Sequence, residues 1–444
     1  MQPLRLLAFA LLAVGFGTGC IAQTSSTTPK NVILFITDGC GPASFTMARD
    51  YLRHKGTAME LAIDSIQTGG IRTHASDSRV TDSAASATAY ACGVKTYNGA
   101  IAVNDNRESV PTILEGAEAK GMATGLVATS RITHATPASF SAHVPQRSME
   151  AEIAAQQIRQ GIDVILGGGT RFYLDEEAGG RRTDSRNLVG DAVDYGYTAV
   201  LDRAGFDAAT TTPLLGLFSA SHMDYEIDRD PAEQPSLAEM TMKAITLLEG
   251  ASDEGFFLMV EASRIDHAAH ANDLGAHLHD ILAFNDAIAQ ALAFAAEDGE
   301  TLIVSTSDHE TGGVTLGRNI NGRGIYAWNP EVFDAIQGSY DRYRISGLDI
   351  DTFFGLSDLD ETERASFDAA TDSDRQGLTT EAISRRSLVA WTTNGHTGVD
   401  VGLYAYGPGS EHFIGNFDNT HVGLALAELM GLDFSTITPL DGTE

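Results

Sequence analysis

Val32-Ile33-Leu34-Phe35-Ile36, followed at once by Thr37-Asp38-Gly39, is an uninterrupted apolar run rich in β-branched residues. A strand covered on both faces reads this way, because neither side of it meets water. Similar runs recur at Gly125 to Ala128, Asp163 to Leu166, Phe256 to Val260 and Thr301 to Ser305. Helical stretches separate them, at Met149 to Arg159, Ser236 to Leu248 and the Ala-rich Asp280 to Ala296. Strands alternating with helices require crossover connections, so the expected class is α/β, with a mostly parallel central sheet flanked by helices on both faces. No internal repeat of fixed period interrupts this pattern.

Outward from that core, Gly317 to Thr393 is polar, Asp-rich and poor in apolar runs, which reads as an insertion capping or rimming the main domain. Strand character returns at Val401 to Tyr406, and a last helix fits His421 to Met430. The expected organisation is one main α/β domain from 31–316 plus 394–444, with 317–393 as a cap or crown. Within the insertion, Asp372-Ser373-Asp374-Arg375-Gln376-Gly377 opens like a calcium loop, so Ca2+ at Asp372 and Asp374 is one reading. The twelfth position is Ile383 where that loop needs Glu, so the sequence favours a solvated acidic turn.

At the other end, Arg5 precedes an uncharged stretch from Leu6 to Gly19 that is short for a membrane span, and residues 1–22 read as an export signal. Gly17-Thr18-Gly19-Cys20 also resembles a lipoprotein cleavage site, leaving lipid attachment at Cys20 and ordinary cleavage near Ala22 both open. The chain is then exported and periplasmic, extracellular or lipid-anchored, with 23–30 as a linker. Cys40 and Cys92 remain, read as buried free thiols rather than a bridge.

The net charge is −31, and the positive side is almost all arginine, since lysine occurs only at 30, 55, 95, 120 and 243. Nucleic-acid backbones are held by clustered Lys and Arg, so this balance excludes electrostatic nucleic-acid binding as the default. With 43% hydrophobic residues the chain is globular in spite of its charge.

In open parallel sheets, ligands bind beyond the carboxyl ends of the strands. Asp38, Glu261 and the pair Asp308-His309 each follow an apolar run, so three strands deliver acidic and imidazole groups to one edge. Asp266 and His270 stand four apart in Arg264-Ile265-Asp266-His267-Ala268-Ala269-His270, and on a helical turn they share a face and can hold one divalent ion while His267 points elsewhere. His277 and His279 read as packing or solvent-facing. His396, in the Gly-flanked loop Thr393-Asn394-Gly395-His396-Thr397-Gly398, supplies the further nitrogen of a three-ligand site with an open position. Ser83 begins the small-residue helix Ser83-Ala84-Ala85-Ser86-Ala87-Thr88-Ala89, which places its hydroxyl among unpaired N–H groups that attract an anion such as phosphate. A plain N-cap by Asp82 or Ser83 is the alternative from this segment alone.

These segments together, with His134-Ala135-Thr136-Pro137-Ala138 and Ser307-Asp308-His309, resemble the alkaline phosphatase family, in the right order over nearly the whole mature chain. The resemblance implies hydrolysis of phosphate monoesters at alkaline pH, with Ser83 as the nucleophile that becomes phosphoserine. It implies two Zn2+ ions, one held by Asp266, His270 and His396 and one by Asp38, Asp308 and His309. It implies one Mg2+ at Asp38, Thr136 and Glu261, and Arg147, 11 residues after Thr136, as the phosphate clamp. A homodimer and small phosphate monoesters as the only specific partners complete that picture, with no nucleic acid and no membrane except through a lipid on Cys20. His134 stands where some relatives have Asp, and His267 where some have Lys or Trp. Both lie near the third ion and would tune it, since histidine suits zinc better than magnesium.

Two rival readings are weaker. A sulfatase needs an Arg after the opening Cys40-Gly41-Pro42-Ala43-Ser44, and none is there; diesterase activity is a minor companion. An acidic cation-binding surface protein needs neither a serine nucleophile nor an arginine clamp. If the ions and Arg147 reverse the sign of the field locally, the remaining acidic coat predicts a salt-tolerant enzyme.

Overall fold

A computed structural model of the chain describes residues 28–440. Residues 1–22, read above as an export signal and including Cys20, and most of the expected linker therefore lie outside the described residues. Ten strands form one sheet: β1 (Asn31–Ile36), β2 (Gln67–Arg72), β3 (Ala123–Arg131), β4 (Val164–Gly168), β5 (Thr198–Val200), β6 (Leu214–Leu217), β7 (Phe256–Glu261), β8 (Thr301–Thr306), β9 (Val401–Tyr406) and β10 (Gly415–Asp418). Their spatial order is β10-β2-β9-β8-β1-β7-β3-β4-β6-β5. All neighbours run parallel except β9, which is antiparallel to both β2 and β8.

The opening run is central because both of its faces are needed. Ile33 and Phe35 pack into one buried cluster with Phe45, Phe284 and Leu258. Val32, Leu34 and Ile36 pack into another with Tyr90, Phe140 and Phe257. Alternate side chains of a strand point to opposite faces, so a strand between two cores must be apolar throughout. The helices Pro42–Lys55 and Leu274–Asp298 cover the first face, and Ser83–Cys92 and Thr420–Met430 the second.

Four strands, β2, β5, β6 and β10, fall outside the runs read from the sequence. All four lie at or next to the sheet edges, and β6, though short, is fully buried. β2 is Gln-Thr-Gly-Gly-Ile-Arg, and its glycines have a steric purpose. A Cβ at Gly69 would stand 1.7 Å from the carbonyl oxygen of Gly415, so only glycine lets β10 pair there. The Ala-rich helix also begins earlier than its composition predicts, at Leu274, because the Asp273 side chain caps it by accepting from the Ala276 N–H.

The segment after Gly317 leaves and returns through one short antiparallel ladder, Thr315–Leu316 against Val389–Ala390. Between these strands lie the helices Tyr340–Ser346, Ile350–Phe354, Glu361–Ala369 and Asp372–Ser387. The last of these corrects the calcium-loop reading. Thr371 caps the helix, Asp372 and Asp374 occupy its first turn, and Ile383 is buried on its inner face. Acidic residues in a first turn are favoured by the helix dipole and need no ion. Among the described residues no helix is long and apolar enough to cross a membrane. Cys40 and Cys92 are both free and buried, as expected.

Candidate active site

β1 lies between β7 and β8, and its register pairs Ile36 with both Glu261 and Thr306. The three strand-end acids are thus neighbours, and Asp38, Glu261 and Asp308 are all fully buried. The loop after β1 is tied to the loop after β8, with Gly39 N–H donating to Asp308 Oδ1 (3.1 Å) and Cys40 N–H to Ser307 Oγ (3.0 Å). Gly39 has φ +73°, and a Cβ there would come within 2.9 Å of Asp266, so glycine permits this close approach. Burial is the main cause that pushes the Asp38 carboxyl well up, with Asp308, Asp266 and Glu261 adding to it. Burial likewise pushes Glu261 up to about 7.

Asp266 and His270 lie one turn apart on the helix Arg264–His270, with His270 Nε2 3.3 Å from Asp266 Oδ2. His396 comes from the strand pair it forms with Thr311, and its Nε2 stands 3.6 Å from Asp266 Oδ1 and 3.1 Å from His270 Nε2. Both imidazoles are oriented from behind: His270 Nδ1 donates to the Asn394 carbonyl and His396 Nδ1 to the Thr81 carbonyl. A cation that displaced the proton His270 Nε2 shares with Asp266 would find both Nε2 atoms aimed at one point. The hydrogen bond to Asp266 holds His270 up at about 9, while burial lowers His396 to about 4. His277, by contrast, is a packing residue, bonded to the Ile265 carbonyl and Ser44 Oγ.

His309 Nε2 stands 3.2 Å from Asp308 Oδ2, 3.6 Å from Asp38 Oδ1 and 3.2 Å from Ser83 Oγ. Ser83 is the first residue of its helix, and the capping role falls to Asp82, which accepts from Ala85 N–H. The Ser83 hydroxyl is therefore spared from capping. Two bonds fix this helix end against the loop after β8: Ser86 Oγ donates to the Asp308 carbonyl (2.8 Å), and Tyr90 Oη to that of Ser307 (2.6 Å). Arg147 reaches the same place, donating to Asp82 Oδ2 (3.0 Å) and to His134 Nε2 (3.1 Å).

Several contributors were not legible in the sequence. Thr311 Oγ1 donates to Asp266 Oδ1 (2.6 Å) and lies 3.2 Å from His309 Nδ1, linking the two groups of ligands. Ser263 and Ser130 donate to Glu261 Oε2. The His222 ring lies tilted 4.2 Å from that of His267 and edge-on 5.4 Å from that of His134, and is bonded by Arg131. His222 follows β6, so recognising Leu214-Leu215-Gly216-Leu217 as a strand would have pointed to it. Burial first, then neighbouring cations among them, holds all three of these imidazoles neutral, His267 down to about 3.

The donor atoms test whether cations fit. Asp266, His270 and His396 form one set with ligand atoms within 4.8 Å of one another; Asp38, Asp266 and His309 form a second, and Asp38, His134 and Glu261 a third. Both oxygens of Asp38, Asp308 Oδ2, Glu261 Oε1, Thr136 Oγ1 and His134 Nδ1 are buried with no hydrogen-bond partner. Buried polar atoms without partners are costly, and here they face one another. Carboxylate and imidazole sets of this kind suit divalent ions. His134 lies beside Asp38 and Glu261 in the third set.

Known proteins resemble this chain closely. The profile of the family described as alkaline phosphatase matches residues 29–432. The repressible alkaline phosphatase of Saccharomyces cerevisiae is 39% identical, over 98% of this chain and 87% of that protein. Alkaline phosphatase 3 of Bacillus subtilis is 39% identical over 94% of this chain and 93% of its own. The crystal structure of the cold-active enzyme from a psychrophilic Shewanella species superimposes with a TM-score of 0.82 at 34% identity, covering 90% of this chain and 99% of that one.

Proposed function

The chain belongs to the alkaline phosphatase family, and we propose that it hydrolyses phosphate monoesters through a phosphoserine formed on Ser83. One observation carries this reading: the buried Ser83 hydroxyl, released from capping by Asp82, points from a helix N-terminus at His309 Nε2, 3.2 Å away. Two zinc ions would be held by Asp266, His270 and His396 and by Asp38, Asp308 and His309, and magnesium by Asp38, Thr136 and Glu261 with His134 beside it. When bound, these ions offset the charge of the phosphate dianion and act as Lewis acids toward the attacking and leaving oxygens.

The chain's own groups do the rest. Ser83 Oγ forms the new bond to phosphorus as the ester P–O bond breaks and the alcohol departs on the far side. Water then cleaves phospho-Ser83, releasing inorganic phosphate and restoring the hydroxyl. The N–H groups of the first turn at Ser83 face the phosphoryl oxygens and favour negative charge there. Arg147 holds two non-bridging oxygens in its planar fork. His134 and Asp82 keep that fork in place from either side, at 3.1 and 3.0 Å. Ser83→Ala, assayed with p-nitrophenyl phosphate, should lose about 10³-fold or more of kcat. Retention of most of the activity would refute the covalent route.

A further inference from the structure

Beside His270, the helix Asp372–Ser387 and the site loops enclose a groove of about 390 Å3. His270 is the most exposed of the proposed ligands, its side chain 39% accessible, so the site opens in this direction. Asp38, Asp308 and His309 are fully buried behind Ser83, so the site opens on the side of His270 and His396, and a departing alcohol leaves that way. The groove therefore lies where the alcohol must go.

Its walls indicate what that alcohol is. From the core side come Asn272 and Asn394, which bond to each other (2.9 Å) and to backbone carbonyls. From the helix come Gln376 and Thr380, and behind them Ser384 Oγ is buried without a partner. The amide hydrogens of Asn272 and Asn394 and the Thr380 hydroxyl are spent within the wall. Their oxygens therefore face the groove as acceptors while Gln376 supplies donors, a set that matches the hydroxyls of a polyol. Glu381, the acidic group in the wall, is neutralised by Arg318 at 2.9 Å, so the groove has no free charge with which to select a cation. Trp391 offers little of an aromatic platform, because its ring packs edge-on against His277 and over Gly312.

Gly377 supplies the second observation. It sits inside the helix with no positive φ, and a Cβ there would meet nothing within 4 Å. Neither backbone conformation nor packing demands glycine, and what its missing side chain leaves is open groove. We propose that this groove is the leaving-group subsite and that it selects neutral polyhydroxylated alcohols, making phosphorylated sugars or polyols the preferred esters. The proposal rests on the phosphomonoesterase reading above.

The test compares glucose 6-phosphate with ethyl phosphate, both esters of primary alcohols, so that the ratio of their kcat/KM values reads the groove rather than the chemistry. Wild type should favour glucose 6-phosphate by about tenfold or more, the scale of a few hydrogen bonds. Gly377→Leu, which fills the groove, should bring the ratio near one while kcat/KM for ethyl phosphate and inhibition by inorganic phosphate stay within about twofold of wild type. Gln376→Ala, a milder change, should lower the ratio by about threefold through one lost bond. A wild-type ratio near one, or a ratio that neither variant changes, overturns the subsite. A loss in Gly377→Leu that is equal for both esters overturns it as well. Absence of turnover on either ester and on p-nitrophenyl phosphate would instead overturn the underlying phosphomonoesterase reading, and the subsite with it.

Discussion

Arg147 is held between an acid and an imidazole, and that arrangement determines how the site responds to its loss. Asp82 anchors one terminal nitrogen and His134 the other, so the guanidinium is oriented before any phosphate arrives. Arg147→Ala should raise KM and the inhibition constant for inorganic phosphate by about 10- to 100-fold, the value of a lost charge-assisted pair, with a smaller fall in kcat. Steady-state kinetics with phosphate as inhibitor checks it. Away from the site, Glu118 carries a different cost. Burial, opposed by bonds from Gln160 and Thr124, pushes its carboxyl from an ordinary 4.5 to about 8. Between those values the folded chain holds a proton that the unfolded chain has released, so stability from this group falls as pH rises and the full penalty stands above about 8. Glu118→Gln should therefore raise the melting temperature by a few degrees at about pH 9, corresponding to about 1 kcal/mol or more, and leave it nearly unchanged at about pH 5. Melting curves at the two pH values decide it.

At the scale of elements, the helix Asp372–Ser387 carries a glycine that its own stability does not need. Gly377→Ala should stabilise the protein by about 0.5–1 kcal/mol, seen as a higher denaturant midpoint with an unchanged slope. The same helix shows where sequence reading stops. Asp372 and Asp374 occur equally in a calcium loop and in the first turn of a helix, and only the Thr371 cap and the burial of Ile383 separate the two. Central strands were legible because β1, β7 and β8 are apolar on both faces, and their ends carry Asp38, Glu261 and Asp308-His309 to one edge by register alone. Edge strands were not, since β5 and β6 are short and β2 is glycine-rich for the sake of its neighbour. His222 went unread for that reason, and Thr311 because a buried threonine that bonds Asp266 resembles any other in sequence.

For the molecule as a whole, the −31 charge and the site pull in opposite directions. Arg131, Arg147, Arg171 and Arg264 gather around His134, His222 and His267, with Arg131 paired to Glu150 and Arg147 to Asp82. The acidic remainder repels a dianion at long range, and salt removes that repulsion first, since at about 1 M the screening length is near 3 Å. Accordingly, kcat/KM for a phosphate monoester should hold or rise as NaCl is added to about 1 M, and a steep fall would show that the exterior field does not govern approach. The covalent step at Ser83 is read most directly by acid-quenched turnover followed by intact-protein mass spectrometry and peptide mapping. One added phosphoryl group is expected, located on Ser83 and absent from Ser83→Ala. Steady turnover with an unmodified Ser83, or with the phosphoryl group on another residue, would contradict it.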